Sequence, residues 1–230
     1  MKKIFNIKVS ECPPAELFEK LLHHVHHNSL DHGLYDLARE DNTVSGFFWA
    51  RETVIISNEL DLHTPGETLT FYKVNKFAFT LQSIKKFEYL LIIDSSSRSI
   101  KPLIKLLQEA TGTKVFISQI EISLTNLVTH LKSSSPTQIT ITHAYTSNQV
   151  ISKSEKISFS IYSIENALTA ANKIMNGSTI RFDRIRMQTS RQGNILKIDI
   201  KSNCLYSISE SNSEIEKLLL RYVLSTQSEL

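Results

Sequence analysis

The sequence predicts an α+β protein with mixed or antiparallel sheets and four to five helices. Three observations carry this. Apolar and polar residues alternate at the period of a strand in several short segments, most cleanly in Phe5–Val9 and Leu196–Lys201. Other segments space their apolar residues as a helix does, with Leu17, Phe18, Leu21, Leu22 and Val25 on one face. Between Lys85 and Gly112 the two patterns meet as a buried strand, a polar elbow and an amphipathic helix.

In chain order, Phe5, Ile7 and Val9 give a first strand that Pro13-Pro14 ends, and the helix through Leu17–Val25 follows. From Gly33 to Thr64 the pattern is strand-like, through Val44, Phe47-Phe48-Trp49 and Thr53-Val54-Ile55-Ile56. Phe47-Phe48-Trp49 is an aromatic run that fits either a base-stacking platform or, more simply, core. Thr64-Pro65-Gly66-Glu67 is a turn, and Leu69 to Leu81 supplies one or two further strands. Leu90–Ile93 is a continuous apolar run, as in a central strand. Ser99 can cap the next helix, Pro102 lies in its first turn, Ile100, Leu103, Ile104 and Leu107 share a face, and Gly112 stops it.

Beyond Gly112 come a strand at Lys114–Ile117, a short helix through Leu124–Leu131 and a boundary at Ser133-Ser134-Ser135-Pro136. Residues 1–132 and 137–230 therefore read as two similar lobes, with a single continuous domain as the alternative. Strands follow at Ile139–Thr142 and Ile157–Ile161, then a helix from Ile164 to Met175 with Gly177 as its stop. Thr179–Ser209 is a β-meander. Ile180 and Phe182 share one phase and Ile185 and Met187 the other, so a bulge or break is expected near Asp183-Arg184. The hairpin tip is Arg191–Asn194, and Ile215–Leu224 is a last helix with Ser213 as cap.

The chain has 230 residues, 41% hydrophobic and 21% charged, an ordinary globular balance. Its apolar runs fall short of the ~20 residues that cross a bilayer. The basic N-terminus alternates like a strand rather than a signal peptide, and Cys12 and Cys204 form neither a metal pair nor a disulfide framework. A cytoplasmic location and no membrane association are the expectation. Residues 1–115 balance fourteen basic against fourteen acidic residues, whereas residues 173–201 carry seven basic residues and only Asp183 and Asp199. Lys173, Arg181, Arg184, Arg186, Arg191 and Lys197 in this stretch are candidate phosphate contacts. A solvated hairpin face is the plainer explanation of the same residues.

Chemical signatures are few. There is no Walker loop, no Gly-x-Gly-x-x-Gly and no Gly-x-Ser-x-Gly, and six glycines in all leave little for a backbone phosphate cradle. His23 and His27, four apart on one helix, can chelate a metal if Asp31, His32 or another ligand joins them; exposed imidazoles at a helix C-terminus are the alternative. Metal-dependent nucleases of the PD-(D/E)xK class place an acid before an Asp/Glu-x-Lys on adjacent strands, with a further acid on a preceding helix. Glu165, Asp183 and Asp199-Ile200-Lys201 resemble that pattern, without the usual Pro before Asp183 and with Lys197 on the metal face. The resemblance implies Mg²⁺ held by the carboxylates and a Lys that orients or deprotonates water.

Element order over most of the chain resembles the recombination-associated RdgC family of bacterial DNA-binding proteins. The resemblance rests on the strand–Asp–turn–helix unit of Phe77–Gly112 and the strand–helix–strand–hairpin of Lys156–Ser202. It implies an α+β fold, a homodimer, and sequence-independent binding of duplex DNA through a positive surface; it carries no individual residue across.

Three functions follow as expectations. The first is a non-enzymatic, sequence-independent DNA binder, acting as a homo-oligomer without cofactor. The second is the nuclease, which needs Mg²⁺. The third is a protein-interaction or assembly subunit of a bacterial or mobile-element system, such as recombination or phage defence.

Overall fold

A computed structural model describes residues 1–25, 31–57, 68–94, 99–135, 137–150, 155–175, 179–191, 194–209 and 213–228. It shows an α+β fold of five helices and eleven strands among the described residues. The chain divides into two units, Ile7–Ile117 and Met1–Asn6 with Ser118–Leu230. The division therefore falls at residues 117–118 and not at Ser133–Pro136. The reason is packing: the helix ahead of Ser135 is built into the second unit.

In the first unit the strand β1 (Lys2–Val9) contributes its last three residues, and α1 (Pro14–His24) follows, with Pro14 at its first position. The strands β2 (His32–Glu40), β3 (Thr43–Ser57), β4 (Thr68–Lys85) and β5 (Glu88–Asp94) form an antiparallel meander in sequence order. The apolar run Tyr89–Ile93 is buried on both sides of β5. The helix α2 (Lys101–Thr111) covers part of the sheet with Leu103, Leu106 and Leu107 fully buried, each contributing about 1.5–3 kcal/mol. The Ser99 hydroxyl accepts from the Lys101 amide at 3.3 Å, and Gly112 ends the helix at φ +67°, the left-handed cap that glycine adopts without strain. Strand β6 (Val115–Gln119) follows.

β3 and β4 are longer than their neighbours. Their pairing runs from Thr43↔Gln82 to Ser57↔Thr68, whereas β2 follows β3 only as far as Ala50 and β5 follows β4 only from Phe79. Residues 51–57 and 68–74 thus form a two-stranded ribbon; apart from the Arg51 amide, which donates to the Asp31 carbonyl at 2.6 Å, its outer edges have no strand partner among the described residues. Ile56, Leu69 and Phe71 are exposed on one of its faces, and Ile55, Tyr72 and Val74 on the other.

The second unit opens with Met1–Asn6 of β1, then α3 (Leu124–Ser134), β7 (Ile139–Val150), β8 (Lys156–Tyr162), α4 (Ala167–Ile174), β9 (Arg184–Arg191), β10 (Asn194–Lys201), β11 (Leu205–Ile208) and α5 (Ser213–Ser228). Its antiparallel sheet runs β1-β11-β10-β9-β7-β8. Ile141, Ala144, Ile185, Met187, Ile198 and Ile200 point to the buried side. The three helices add Leu127, Leu131, Ala171, Leu219 and Val223 to the core. The phase change at Asp183-Arg184 is a bend at Asp183 ahead of β9.

One helix starts later than its apolar spacing predicts. α4 begins at Ala167 and not at Ile164, because Asn166 caps it: Asn166 Oδ1 accepts from the amides of Leu168 (3.0 Å) and Thr169 (3.4 Å). Ser163 Oγ takes the amides of Glu165 and Asn166, both at 3.1 Å, and holds 163–166 as a turn that leaves Ile164 exposed. Glu165 is therefore not a helical residue.

Candidate nucleic-acid interface

Strand alternation divides the second unit's sheet into a buried side and an open side. On β9, Ile185, Met187 and Thr189 are buried, which turns Arg184, Arg186 and Gln188 outward. On β10, Leu196, Ile198 and Ile200 are buried and Lys197, Asp199 and Lys201 face outward. In β7 a register shift between Ile141 and His143 moves the sequence by one, so that Ile141 pairs with Met187 but His143 pairs with Arg186. The consequence is two rows across the open side. One runs Tyr162–His143–Arg186–Asp199–Ser207 over five strands; the next runs Ser160–Tyr145–Arg184–Lys201 over four.

Within the first row Asp199 is the hub. Arg184 donates to it through Nε at 2.7 Å and also through Nη2, and Arg186 donates through Nε at 2.9 Å. Burial opposes the charge on Asp199, but the guanidinium hydrogen bonds outweigh it and hold the carboxyl below the usual aspartate range. Lys197 and Lys201 flank the hub on β10, and Asp183 lines the same groove as Arg184 and Lys201, so four cations on this surface meet two carboxylates.

His143 is 5% exposed and shares a hydrogen bond of 2.6 Å between Nε2 and Ser160 Oγ. Its ring stacks on Tyr162, with centroids 4.3 Å apart and planes 21° from parallel. Burial, then the charges of Arg186 and Arg184, push the imidazole pKa down. This favours the neutral ring. Its Nδ1 is buried without a hydrogen-bond partner among the described residues, so no carboxylate orients it as the base of a serine nucleophile. Tyr162 covers the imidazole and is itself 72% exposed.

Two grooves lie on this side, and no helix residue lines either. One, of about 480 Å³, holds His143, Tyr145, Ser160, Tyr162, Arg184 and Lys201; the other, of about 440 Å³, holds Arg186, Gln188, Lys197, Asp199 and Ser207. The geometry offers cations for phosphate and an aromatic surface beside them.

The six basic residues singled out by the sequence divide. Arg184, Arg186 and Lys197 assemble on the open side, and Lys201 joins them. Arg181 lies ahead of β9 and pairs with Glu121 at 2.6 Å, and Lys173 stands exposed on α4. The Arg191 side chain lies outside what the structure describes. Of the nuclease set, Asp183 and Lys201 line the 480 Å³ groove, Asp199 lines the other, and Glu165 lines neither. Asp183 Oδ2 accepts from the Ser147 amide at 2.5 Å and from its hydroxyl at 2.6 Å. A divalent cation at Asp199 would have to displace two guanidiniums.

His23 is exposed in the last turn of α1, and His27 lies outside the described residues. Asp31 pairs with Arg51 at 2.6 Å and His32 with Glu109 at 3.2 Å. Among the described residues no three His, Cys, Asp or Glu side chains gather as a metal site. The aromatic run lies within β3, where Phe48 is core while Phe47 is 40% exposed and stacks on Tyr35.

Sequence reasoning missed His143, Tyr145, Ser160 and Tyr162. Ser160 and Tyr162 lie on the polar phase of β8, whereas His143 and Tyr145 share the sequence parity of Ile139 and Ile141 and are turned to the open side by the register shift in β7.

No protein-family model matches the chain, and no curated protein matches it at a significant level. No helix among the described residues is long and apolar enough to cross a membrane.

Proposed function

We propose that this protein is a non-enzymatic, sequence-independent nucleic-acid binder that acts as a homo-oligomer. The observation that carries the reading is the open side of this sheet, where Arg184, Arg186, Lys197 and Lys201 gather with Asp199 and Asp183 and where no helix residue among the described residues lines either groove. Such cations contact phosphate and carry no base information. Buried free thiols at Cys12 and Cys204 suit the reducing cytoplasm where this role would be performed. Salt-titrated binding to mixed-sequence DNA tests it. Affinity should fall steeply with salt, and Lys201→Ala should lower the slope of log K against log salt by about 1. Absence of binding to both duplex and single-stranded DNA at low salt would sink the reading. Adding Mg²⁺ should cleave nothing.

A second reading, an assembly subunit, is favoured by the β3–β4 ribbon. Isolated two-stranded ribbons are marginal in water, and this one exposes apolar side chains on both faces and two edges without a strand partner among the described residues. A second copy of the chain is the occupant we assign to it. Light scattering should show an oligomer that the double variant Ile55→Lys, Phe71→Lys reduces to monomer. A monomeric wild type at micromolar concentration would remove the assignment.

A further inference from the structure

We propose that the open side of the second unit's sheet takes single-stranded nucleic acid, with one base stacked on Tyr162 and a neighbouring phosphate on Arg186 and Lys201. This rests on the nucleic-acid reading above and names the form of ligand.

The stack supplies the first argument. Tyr162 ends the edge strand β8, and one face of its ring lies on His143 while the side chain stays 72% exposed. His143 is itself held by Ser160 and is nearly fully buried. The tyrosine ring is thus supported from beneath, which lowers the entropy lost when a further planar ring stacks on it. A base has such a ring whatever its identity.

The second argument is spacing. Tyr162 and Arg186 stand in one row, two strands apart, which is about 10 Å at the usual interstrand distance and on the scale of one nucleotide. Arg186 spends only Nε on Asp199, leaving its terminal nitrogens without a partner among the described residues. Asp199 therefore positions this guanidinium without consuming it. Lys201 lies in the next row and lines the same groove as Tyr162, whose volume of about 480 Å³ is within the range of small-ligand sites.

The third argument separates the two forms of nucleic acid. A duplex keeps its bases stacked on one another and offers a sheet only its backbone and groove edges. A free strand can splay a base onto an aromatic side chain. An exposed, supported tyrosine beside cations yields binding energy only with the latter.

Anisotropy with a fluorescein-labelled oligothymidylate, a hairpin duplex of equal charge and free thymidylate as competitor tests this on the full chain. The wild type should prefer the single strand. Tyr162→Ala should weaken single-strand binding about ten-fold, leave duplex binding and the salt slope unchanged, and melt at the wild-type temperature; Tyr162→Phe should retain wild-type affinity. Equal binding of the single strand by Tyr162→Ala and wild type, or equal weakening of both forms, overturns the inference while leaving nucleic-acid binding in place. Competition by free thymidylate as strong as by the oligomer assigns the groove to a mononucleotide and overturns it too. If the wild type binds no oligonucleotide, the nucleic-acid reading itself fails and takes this inference with it.

Discussion

Arg186 and Asp199 stand directly opposite each other on neighbouring strands, joined by one hydrogen bond of 2.9 Å from Nε to Oδ2. The carboxylate fixes a guanidinium that would otherwise sample many rotamers, and at the same time subtracts a charge from the surface.

Asp199→Asn separates these two effects. The amide restores one unit of positive charge to the face, so binding to nucleic acid should tighten about five-fold at low salt and converge with wild type as salt rises. Stability should fall by about 1–2 kcal/mol, read by urea denaturation, since two charge-assisted hydrogen-bonding partners lose their anion. Lower affinity at every salt concentration would show that orientation outweighs charge.

Acid should destabilise the protein in two stages. His143 has its pKa lowered by burial and by Arg186 and Arg184, with Asp199 opposing, so the unfolded chain takes a proton there first and stability starts to fall below about pH 6.5. Asp199 and Glu216 are held low against their burial, the first by Arg184 and Arg186, the second by Lys2 and the Tyr206 hydroxyl. Their contribution is complete above the ordinary carboxylate range and is lost as pH falls through about 4.5 and below. Denaturation midpoints across pH should show both limbs, and Glu216→Gln should flatten the lower one.

Gly33 pairs with Trp49 across β2 and β3, and a Cβ at Gly33 would sit 2.7 Å from the indole Nε1. Gly33→Ala must push the ring aside at a cost of about 1–3 kcal/mol. Because Trp49 is the only tryptophan, the change should also shift the protein's emission maximum. An unchanged spectrum with unchanged stability would contradict the packing.

α2 is anchored by Leu107, which is fully buried. Leu107→Ala should cost about 2–5 kcal/mol. Gly112→Ala should cost about 1 kcal/mol with no steric clash, since only its left-handed backbone is at stake and nothing lies within 4 Å of an added Cβ. Thermal or chemical melts check both.

Much of the scaffold was legible because local chemistry decides it. Leu90–Ile93 reads as a fully buried strand and is one; Pro102 and Gly112 bracket α2 as their backbone preferences require. The start of α4 was not legible from apolar spacing, because a side-chain cap at Asn166 overrides it. The candidate interface was half legible. The parity of β10 places Lys197, Asp199 and Lys201 together, but nothing local reveals that Asp199 would be spent on Arg184 and Arg186. Nor could His143 be aligned with them, since its position depends on a one-residue slip in β7 that long-range pairing selects.

The β3–β4 ribbon also bears on how the chain reaches its native state. Its strands are joined by the short connection 58–67, so their pairing closes a small loop and needs no distant segment. Such hairpins zip within microseconds, well before a sheet of long-range contacts can assemble. β2 and β5 join β3 and β4 through the two-residue connections 41–42 and 86–87 but reach only the base of the ribbon, so during refolding its outer part and its apolar side chains stay uncovered. The yield of soluble protein should depend on dilution and fall as chain concentration rises, since pairing of β2 and β5 leaves the outer part of the ribbon open to a second copy.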